Sequence, residues 1–438
     1  MYKRLKSPFN TQVEVTGDCP HLCKHCYIAW NMKGCTPVGK ATMLTSVDAS
    51  NIIKKLADAE VFNITVTGGE PLLNMAASLV CVESAKERNM SVNMNSSLTP
   101  LNKIKAEALK KAGLGHILTS ILGPTPEVHD AITQRPNSFR LLIDRVKVAQ
   151  DAGIKISANM VVSQLNIDHV RATAEVVANL GIKYFSATKA GCPGNCSDFS
   201  VFQLSHPQLT RFLNDLCWCN KNLGIEVDTL EPIPLCGLQG VDRPELFINR
   251  KCTAGITTMT VSYDGSVRPC SHIDLSYGNL LQEDFQTIWD KMKPWSKGEQ
   301  IPSKCRACPL LTVCGSGCRM EAKSRTGHLN DLDPYTVEEN VKAVLEYLKN
   351  TQKNTVVPPK EFLGFRTKQF RTRSESFGGV IALHGNKRVF FDEYGFKVIQ
   401  QLLPDSSYDL NDPRINWNGL DPKEFVSGLF TRGVVDCI

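Results

Sequence analysis

The chain has 438 residues, of which 42% are hydrophobic and 21% charged, a composition that sustains a packed core and excludes wholesale disorder. Lys and Arg together exceed Asp and Glu by six, a surplus too small to demand nucleic acid and no bar to an anionic partner. No apolar run approaches the length of a membrane span, and no apolar segment follows the basic opening Met1–Lys6, which speaks against a secretory signal.

Taken in chain order, residues 11–16 alternate as a strand does and end at Gly17-Asp18. Residues 46–59 place Ile52, Ile53, Leu56 and Ala57 on one helical stripe, with Ser46 as N-cap. Residues 62–67 are β-rich and run into Gly68-Gly69. The alternation continues through helix 75–88, strand 91–95, helix 101–112, strand 116–121, helix 138–151, strand 154–162, helix 167–179 and strand 182–188. Strands alternating with helices imply a parallel sheet, and about six such units predict an open partial barrel. Ligands then gather at the carboxyl ends of the strands. Residues 189–251 read as irregular, 252–334 as Cys- and Gly-rich with no long element, 336–350 as an amphipathic helix and 351–359 as a linker. The tail predicts strands near 378–383 and 388–391, a helix near 393–403 and another from about 421.

Seventeen cysteines are the outstanding feature of the composition. An odd count in a large chain without an export signal argues for reduced thiols, hence a cytoplasmic setting and metal rather than disulfides. Cys19, Cys23 and Cys26 form C-x3-C-x2-C. Three thiolates on one loop hold three irons of a 4Fe–4S cluster and leave the fourth open, unless Cys35 supplies a fourth ligand. His25 and Tyr27 flank the last of them and suit a shielding role, against ordinary loop packing for His25. Farther on stand Cys252 and Cys270, then Cys305, Cys308, Cys314 and Cys318 as C-x2-C-x5-C-x3-C. This spacing does not reproduce a zinc finger. Cys81 reads as core, Cys192 and Cys196 frame a turn that either faces substrate or is plain loop, and Cys217 and Cys219 point apart.

The N-terminal triplet followed by Gly68-Gly69-Glu70-Pro71 resembles the radical S-adenosylmethionine (SAM) superfamily. The resemblance implies that the open iron chelates the methionyl end of SAM and that reductive cleavage gives a 5′-deoxyadenosyl radical. It also makes Gly68, Gly69 and Glu70 candidates for the SAM amino group, with Asn95 and Ser120 as further cofactor contacts. The segment 120–130 resembles an S-L-D-G-P-x4-H-D pattern, but Leu122 stands where an Asp is common, so that carboxylate's role does not transfer.

Cys252-x12-Gly265-x4-Cys270 followed by the quartet resembles the SPASM extension, whose members carry up to two auxiliary iron–sulfur clusters. By that likeness Cys252, Cys270 and Cys318 belong to one cluster, and Cys305, Cys308 and Cys314 to the other. No cysteine stands at the closing position near 331–335. Asp331, Asp333 or Cys437 are then fourth-ligand candidates for the second cluster unless that cluster is incomplete, the aspartates otherwise serving as helix caps; the first cluster's fourth iron either binds Cys236 or stays open for substrate. The tail resembles the winged-helix-like peptide-recognition element of ribosomal peptide maturation, which takes a leader peptide as an added strand. A DNA-binding winged helix using Arg366, Lys368, Arg371 and Arg373 is the rival, and a structural cap the plainest alternative.

The expected architecture is therefore α/β: a partial (β/α)6 barrel over 1–190, a bridging region over 191–251, an irregular SPASM domain over 252–350 and a small α+β, winged-helix-like domain over 351–438. The expected function is a radical SAM/SPASM maturase acting on a ribosomally made precursor peptide bound through its leader, giving a cross-link or an excision. Electrons come from a flavodoxin or ferredoxin, and neither membrane nor nucleic acid takes part. The alternatives are oxidation of a Cys or Ser on a sulfatase, and a non-enzymatic iron–sulfur regulator. The residue that acts on the substrate is not identified from the sequence.

Overall fold

The computed structural model describes residues 3–26, 43–191, 199–248, 250–351, 358–383 and 387–438. Cys35, Tyr27, Cys192 and Cys196, singled out above, lie outside the described residues. The chain forms two compact units, Met1–Glu346 and Tyr347–Ile438.

The first unit is built on one sheet. Strands β1 (Asn10–Glu14), β2 (Asn63–Thr67), β3 (Ser91–Asn95), β4 (His116–Ser120), β5 (Lys155–Val162) and β6 (Tyr184–Lys189) pair in sequence order and in parallel. Between them run α1 (Ser46–Asp58), α2 (Met75–Glu87), α3 (Lys103–Ala112), α4 (Pro126–Thr133), α5 (Ser138–Asp151) and α6 (Val170–Asn179). The expected six-unit partial barrel is present. Its strands are buried on both faces, as parallel sheets covered by helices must be; in β5 only Lys155 is exposed. The helices bury one stripe each, as α1 does with Ala49, Ile52, Ile53 and Leu56. The cap of α1 is Thr45, whose side chain accepts from the Asp48 N–H, one residue before the expected Ser46.

Residues 189–251, expected as irregular, hold α7 (His206–Leu223) and β7 (Glu226–Asp228). Ser205 and Gln208 close a reciprocal capping box on α7. Strand β7 adds to β6 at one sheet edge. At the other edge β8 (Thr258–Val261) lies parallel to β1 and turns back into β9 (Val267–Arg268), so the Cys-rich segment continues the barrel sheet to nine strands. A buried ion pair fastens this join: Arg268 donates to both Glu14 oxygens at 2.6 Å, and Ser262 donates to Glu14 at 2.9 Å. Beyond it come only short helices: α8 (Phe285–Lys291), α9 (Lys293–Lys297), α10 (Ser303–Arg306), α11 (Leu311–Cys314) and α12 (Arg319–Thr326), then α13 (Val341–Thr351).

The second unit holds two antiparallel three-stranded sheets. One orders β14 (Ser407–Asp409), β10 (Gly364–Thr367) and β15 (Val435–Cys437); the other orders β11 (Phe370–Glu375), β12 (Gly378–Leu383) and β13 (Arg388–Phe391). Helices α14 (Glu393–Ile399) and α15 (Pro422–Thr431) complete its core, with Phe365, Ile381, Val398 and Val426 at its centre. The two strands and two helices expected for the tail are present. Strands β10, β11, β14 and β15 were not anticipated. Among the described residues no helix is long and apolar enough to cross a membrane.

Candidate active site

A cavity of about 430 Å³ opens at the carboxyl ends of the barrel strands, within the usual size of small-molecule sites. Cys19, Cys23 and Cys26 line one part of its wall, with Gly68, Gly69, Asn95 and Ser120. Cys252, Cys270 and Cys318 line another part. One space thus faces two thiol sets that stand more than 200 residues apart in the chain.

The N-terminal cysteine loop is held from two sides. The Gly69 N–H donates to Thr16 O and the Glu70 N–H to Asp18 O, each at 2.7 Å. That approach needs both glycines. A Cβ on Gly68 (φ +145°) would meet Thr16 O at 2.4 Å, and one on Gly69 would meet Asp18 O at 2.2 Å. On the far side Leu22 N–H donates to Thr133 O, Lys24 N–H to Ile132 O and Arg135 to Pro20 O. Helix α4, not anticipated from the sequence, provides most of this second anchor. Within its preceding loop, Leu122 donates its N–H to His129 Nδ1 at 3.1 Å and lines the cavity.

Glu70 does not line the cavity. Its buried carboxylate accepts from Leu72 N–H, Ser96 Oγ, Ser97 N–H and Ser97 Oγ, all within 3.1 Å. It therefore ties the turn after β2 to the turn after β3, rather than offering an oxygen to a ligand. Gly68, Gly69, Asn95 and Ser120 line the wall, joined there by Ser97.

The donor chemistry fits iron–sulfur clusters. Burial pushes the Cys19 thiol up to about 12, with Glu70 and Cys26 adding negative charge, and raises Cys23 well above its ordinary value beside Cys26 and Cys19. Three neighbouring half-buried thiols become thiolates readily only if a cation joins them. The second set behaves alike: burial and Cys252 push Cys270 up to about 12, and burial and Glu231 raise Cys318. Cys236, expected near this set, belongs elsewhere: it interacts with Cys308 and Cys314. Asp333 is no free ligand either, since its carboxylate accepts from Cys318 N–H at 2.7 Å and Tyr335 N–H at 3.0 Å. Cys437 sits on β15 in the second unit, paired with Phe365.

Sequence reasoning missed the charged part of the wall. Lys189, at the end of β6, lies 3.1 Å from Glu231 and 3.0 Å from Glu321 while only 2% of its side chain is exposed. Burial opposes its charge, but the two carboxylates raise its pKa well above the ordinary value, so it stays an ammonium. His272 Nε2 lies 3.5 Å from Glu231, and burial lowers its pKa despite that carboxylate. These residues come from β6, the 230s loop, the 270s loop and α12, and no local motif joins them.

Comparison with known proteins gives this geometry its family. The model of the radical SAM superfamily matches residues 13–177, and that of the SPASM iron–sulfur cluster-binding domain matches residues 252–309. The chain carries a radical SAM domain followed by a SPASM domain. Its cofactors are accordingly a 4Fe–4S cluster with SAM, and auxiliary iron–sulfur clusters at the SPASM domain. Among curated proteins it is 25% identical to the AdoMet-dependent heme synthase of Methanosarcina barkeri, over 74% of this chain and 95% of that one. It is 22% identical to the PqqA peptide cyclase of Ruegeria pomeroyi, over 75% of this chain and 87% of that one. Among solved structures, anSMEcpe with bound AdoMet shares the radical SAM fold at a TM-score of 0.63 and 18% identity, over 79% of this chain and 100% of that one.

Proposed function

We propose that this radical SAM enzyme modifies a ribosomally made precursor peptide, oxidising it to a cross-linked or excised product. The observation that carries the reading is the single cavity walled by both thiol sets. A substrate held there lies between the site of radical formation and a site able to take up the electron that an oxidation releases. When bound, the Cys19/Cys23/Cys26 cluster supplies the electron that cleaves SAM and so furnishes the hydrogen-abstracting radical.

The chain's own residues do the rest. Asn95, Ser97 and Ser120 orient the cofactor's polar groups, and Gly68 and Gly69 bring backbone carbonyls to the wall. Leu118, Leu122, Val161 and Met259 keep water from the reacting centre. Glu231, backed by His272 and Lys189, stands where it can accept the proton that accompanies oxidation. Cys252, Cys270 and Cys318 hold the nearer auxiliary cluster. A small flavin or iron–sulfur carrier, flavodoxin or ferredoxin, feeds electrons in.

The second unit is read as the leader-binding element. Strand β13 is paired on one side only among the described residues, and Phe390 on it and Tyr394 beside it are 44% and 61% exposed. An extended peptide adds to such an edge through main-chain bonds. Two of the four basic residues that suggested DNA are already spent: Arg373 is buried against Glu375, and Lys368 pairs with Asp436 at 3.0 Å.

A second reading has its own support. The haem synthase alignment takes in 95% of that relative, which favours a tetrapyrrole substrate, although a quarter of this chain stands outside it. The test is anaerobic co-production with a short peptide encoded nearby, against a Cys19/Cys23/Cys26→Ala control. Cluster-dependent loss of two hydrogens marks a cross-link, and loss of a larger fragment an excision. If 5′-deoxyadenosine forms while peptide mass and deuterium content stay unchanged, the peptide reading falls and the tetrapyrrole is assayed. If no 5′-deoxyadenosine forms in any assay, radical SAM catalysis itself falls and a regulatory role replaces it.

A further inference from the structure

The quartet segment lacks its closing cysteine, and the chain fills the gap from an unexpected direction. A buried 3₁₀ turn, Leu235–Leu238, meets the end of α11, where Cys314 stands. Leu235 N–H donates to Cys314 Sγ at 3.3 Å. Pro234 packs on the turn after Cys314 so closely that a Cβ on Gly317 would meet its Cγ at 2.7 Å. From the opposite side Asn340 Nδ2 donates to Cys236 O at 3.1 Å, and the Val337 N–H is directed at the Cys236 sulfur. Cys236 is buried, 7% exposed, and so is Cys314. Cys305 interacts with Cys314, Cys308 and Cys236, and Cys236 in turn with Cys314 and Cys308. Four thiols therefore share one locality, separate from the cavity set of Cys252, Cys270 and Cys318.

Of the oxygen alternatives, Asp333 is occupied. Asp333 gives both carboxylate oxygens to backbone N–H groups, as described above. Of Asp331 the backbone carbonyl is used, accepting from Arg319 at 2.8 Å. Just beyond the expected closing position, Val337 and Asn340 contribute hydrogen bonds around Cys236 rather than a sulfur.

We infer that Cys236 is the fourth ligand of the distal auxiliary cluster, completing an all-cysteine site with Cys305, Cys308 and Cys314 from upstream of the quartet. On binding, its thiol proton passes to solvent and its sulfur bonds to iron, with no change of oxidation state. Four thiolates and an N–H···S bond describe a closed, electron-transferring site with no open iron for substrate. The cavity set, with three cysteines among the described residues, differs in kind. The inference rests on the SPASM reading and is testable apart from it.

The experiment uses the full chain in a Cys19/Cys23/Cys26→Ala background, reconstituted anaerobically with iron and sulfide, so that only auxiliary clusters are counted. Two 4Fe–4S clusters bring about eight irons. Cys236→Ala is expected to lose about four of them, or to convert one cluster to a 3Fe–4S form, and to abolish one electron paramagnetic resonance signal. Cys236→Ser, which retains a ligand atom, keeps the iron and shifts that signal, while Asp331→Asn and Asp333→Asn leave it in place. Full iron and an unaltered spectrum in Cys236→Ala overturn the inference, as does loss of the same signal in either aspartate variant. Cys305→Ala is the control: if it too keeps all its iron and signals, the distal cluster itself is absent and the SPASM reading is at fault.

Discussion

In the loop from Cys19 to Cys26, backbone groups on either side of the cysteines are bonded to the barrel, through Gly69 and Glu70 at one end and Thr133, Ile132 and Arg135 at the other. In the stretch from Cys305 to Cys318 the helices α10 and α11 have four residues each, and the apolar side chains fully buried there are Leu310 and Cys314. Helices of that length do not persist unaided. The first loop is thus placed by the protein and ready for its metal, whereas the second region depends on metal for its shape. The difference suits their tasks. A SAM-binding iron must be presented at a fixed distance from the radical's target, while a cluster that only passes electrons can double as the staple of a small irregular domain.

Metal removal is the sharpest way to break that comparison. After chelation, amide hydrogen exchange in residues 303–318 should rise by roughly 100-fold or more, about 3 kcal/mol of local stability or above. The amides of β2 to β5 should stay protected. Equal loss in both regions would show that the barrel, too, needs its cluster.

Cutting the join between the regions comes next. Arg268→Ala leaves Glu14 buried and unpaired, with a cost of about 3–5 kcal/mol in denaturant unfolding. Glu14→Gln with Arg268→Met should recover much of it, since both charges are then gone. A cost below about 1 kcal/mol for the single variant would mean that β8 and β9 are held to β1 by the sheet alone.

Glu70→Ala tests how the first loop is placed. It orphans the Leu72 and Ser97 N–H groups and two hydroxyls, at about 1–3 kcal/mol. Because Glu70 braces the wall rather than touching ligand, SAM affinity should fall along with thermal stability, and Glu70→Gln should lie between. A variant of full stability that no longer binds SAM would make Glu70 a direct ligand instead.

Much of this was legible before any coordinates. The six βα units show in the alternation because each parallel strand is buried on both faces and each helix on one stripe. The cavity's first cysteine set was legible from spacing, since three close thiolates have few other uses, whereas the grouping of Cys252, Cys270 and Cys318 came from the SPASM likeness alone. Helix α7 is obscured although Ser205 and Gln208 spell its capping box, because Pro- and Cys-rich flanks interrupt the alternation of strand and helix around it. Strands β8 and β9 were hidden because a short strand inside a Cys-rich segment carries little pattern of its own. Glu70 shows a different limit: adjacency to Gly68-Gly69 fixes its place along the chain, not the direction of its side chain. Cys236 shows another. It lies nearer in sequence to Cys252, yet the turn at Leu235 lays it on Cys314, a contact that spacing does not encode.

The smallest expected effect concerns how the first loop's support responds to acid. His129 accepts the Leu122 N–H and stacks edge-on against Phe139, and burial pushes its pKa down to about 4. The unfolded chain binds that proton at the ordinary value of about 6.5, so it holds more protons than the folded chain between the two. Stability is therefore full above about pH 6.5 and drains away as pH falls toward 4, by at most about 1.4 kcal/mol per pH unit for this one group. His116, lowered by burial and by Lys155, acts in the same direction. Measured by urea unfolding between pH 7 and pH 5, His129→Gln should flatten the slope while keeping an acceptor for Leu122. An unchanged slope would move the acid sensitivity away from α4 and onto the remaining histidines, leaving the anchor that fixes Leu22 and Lys24 indifferent to pH.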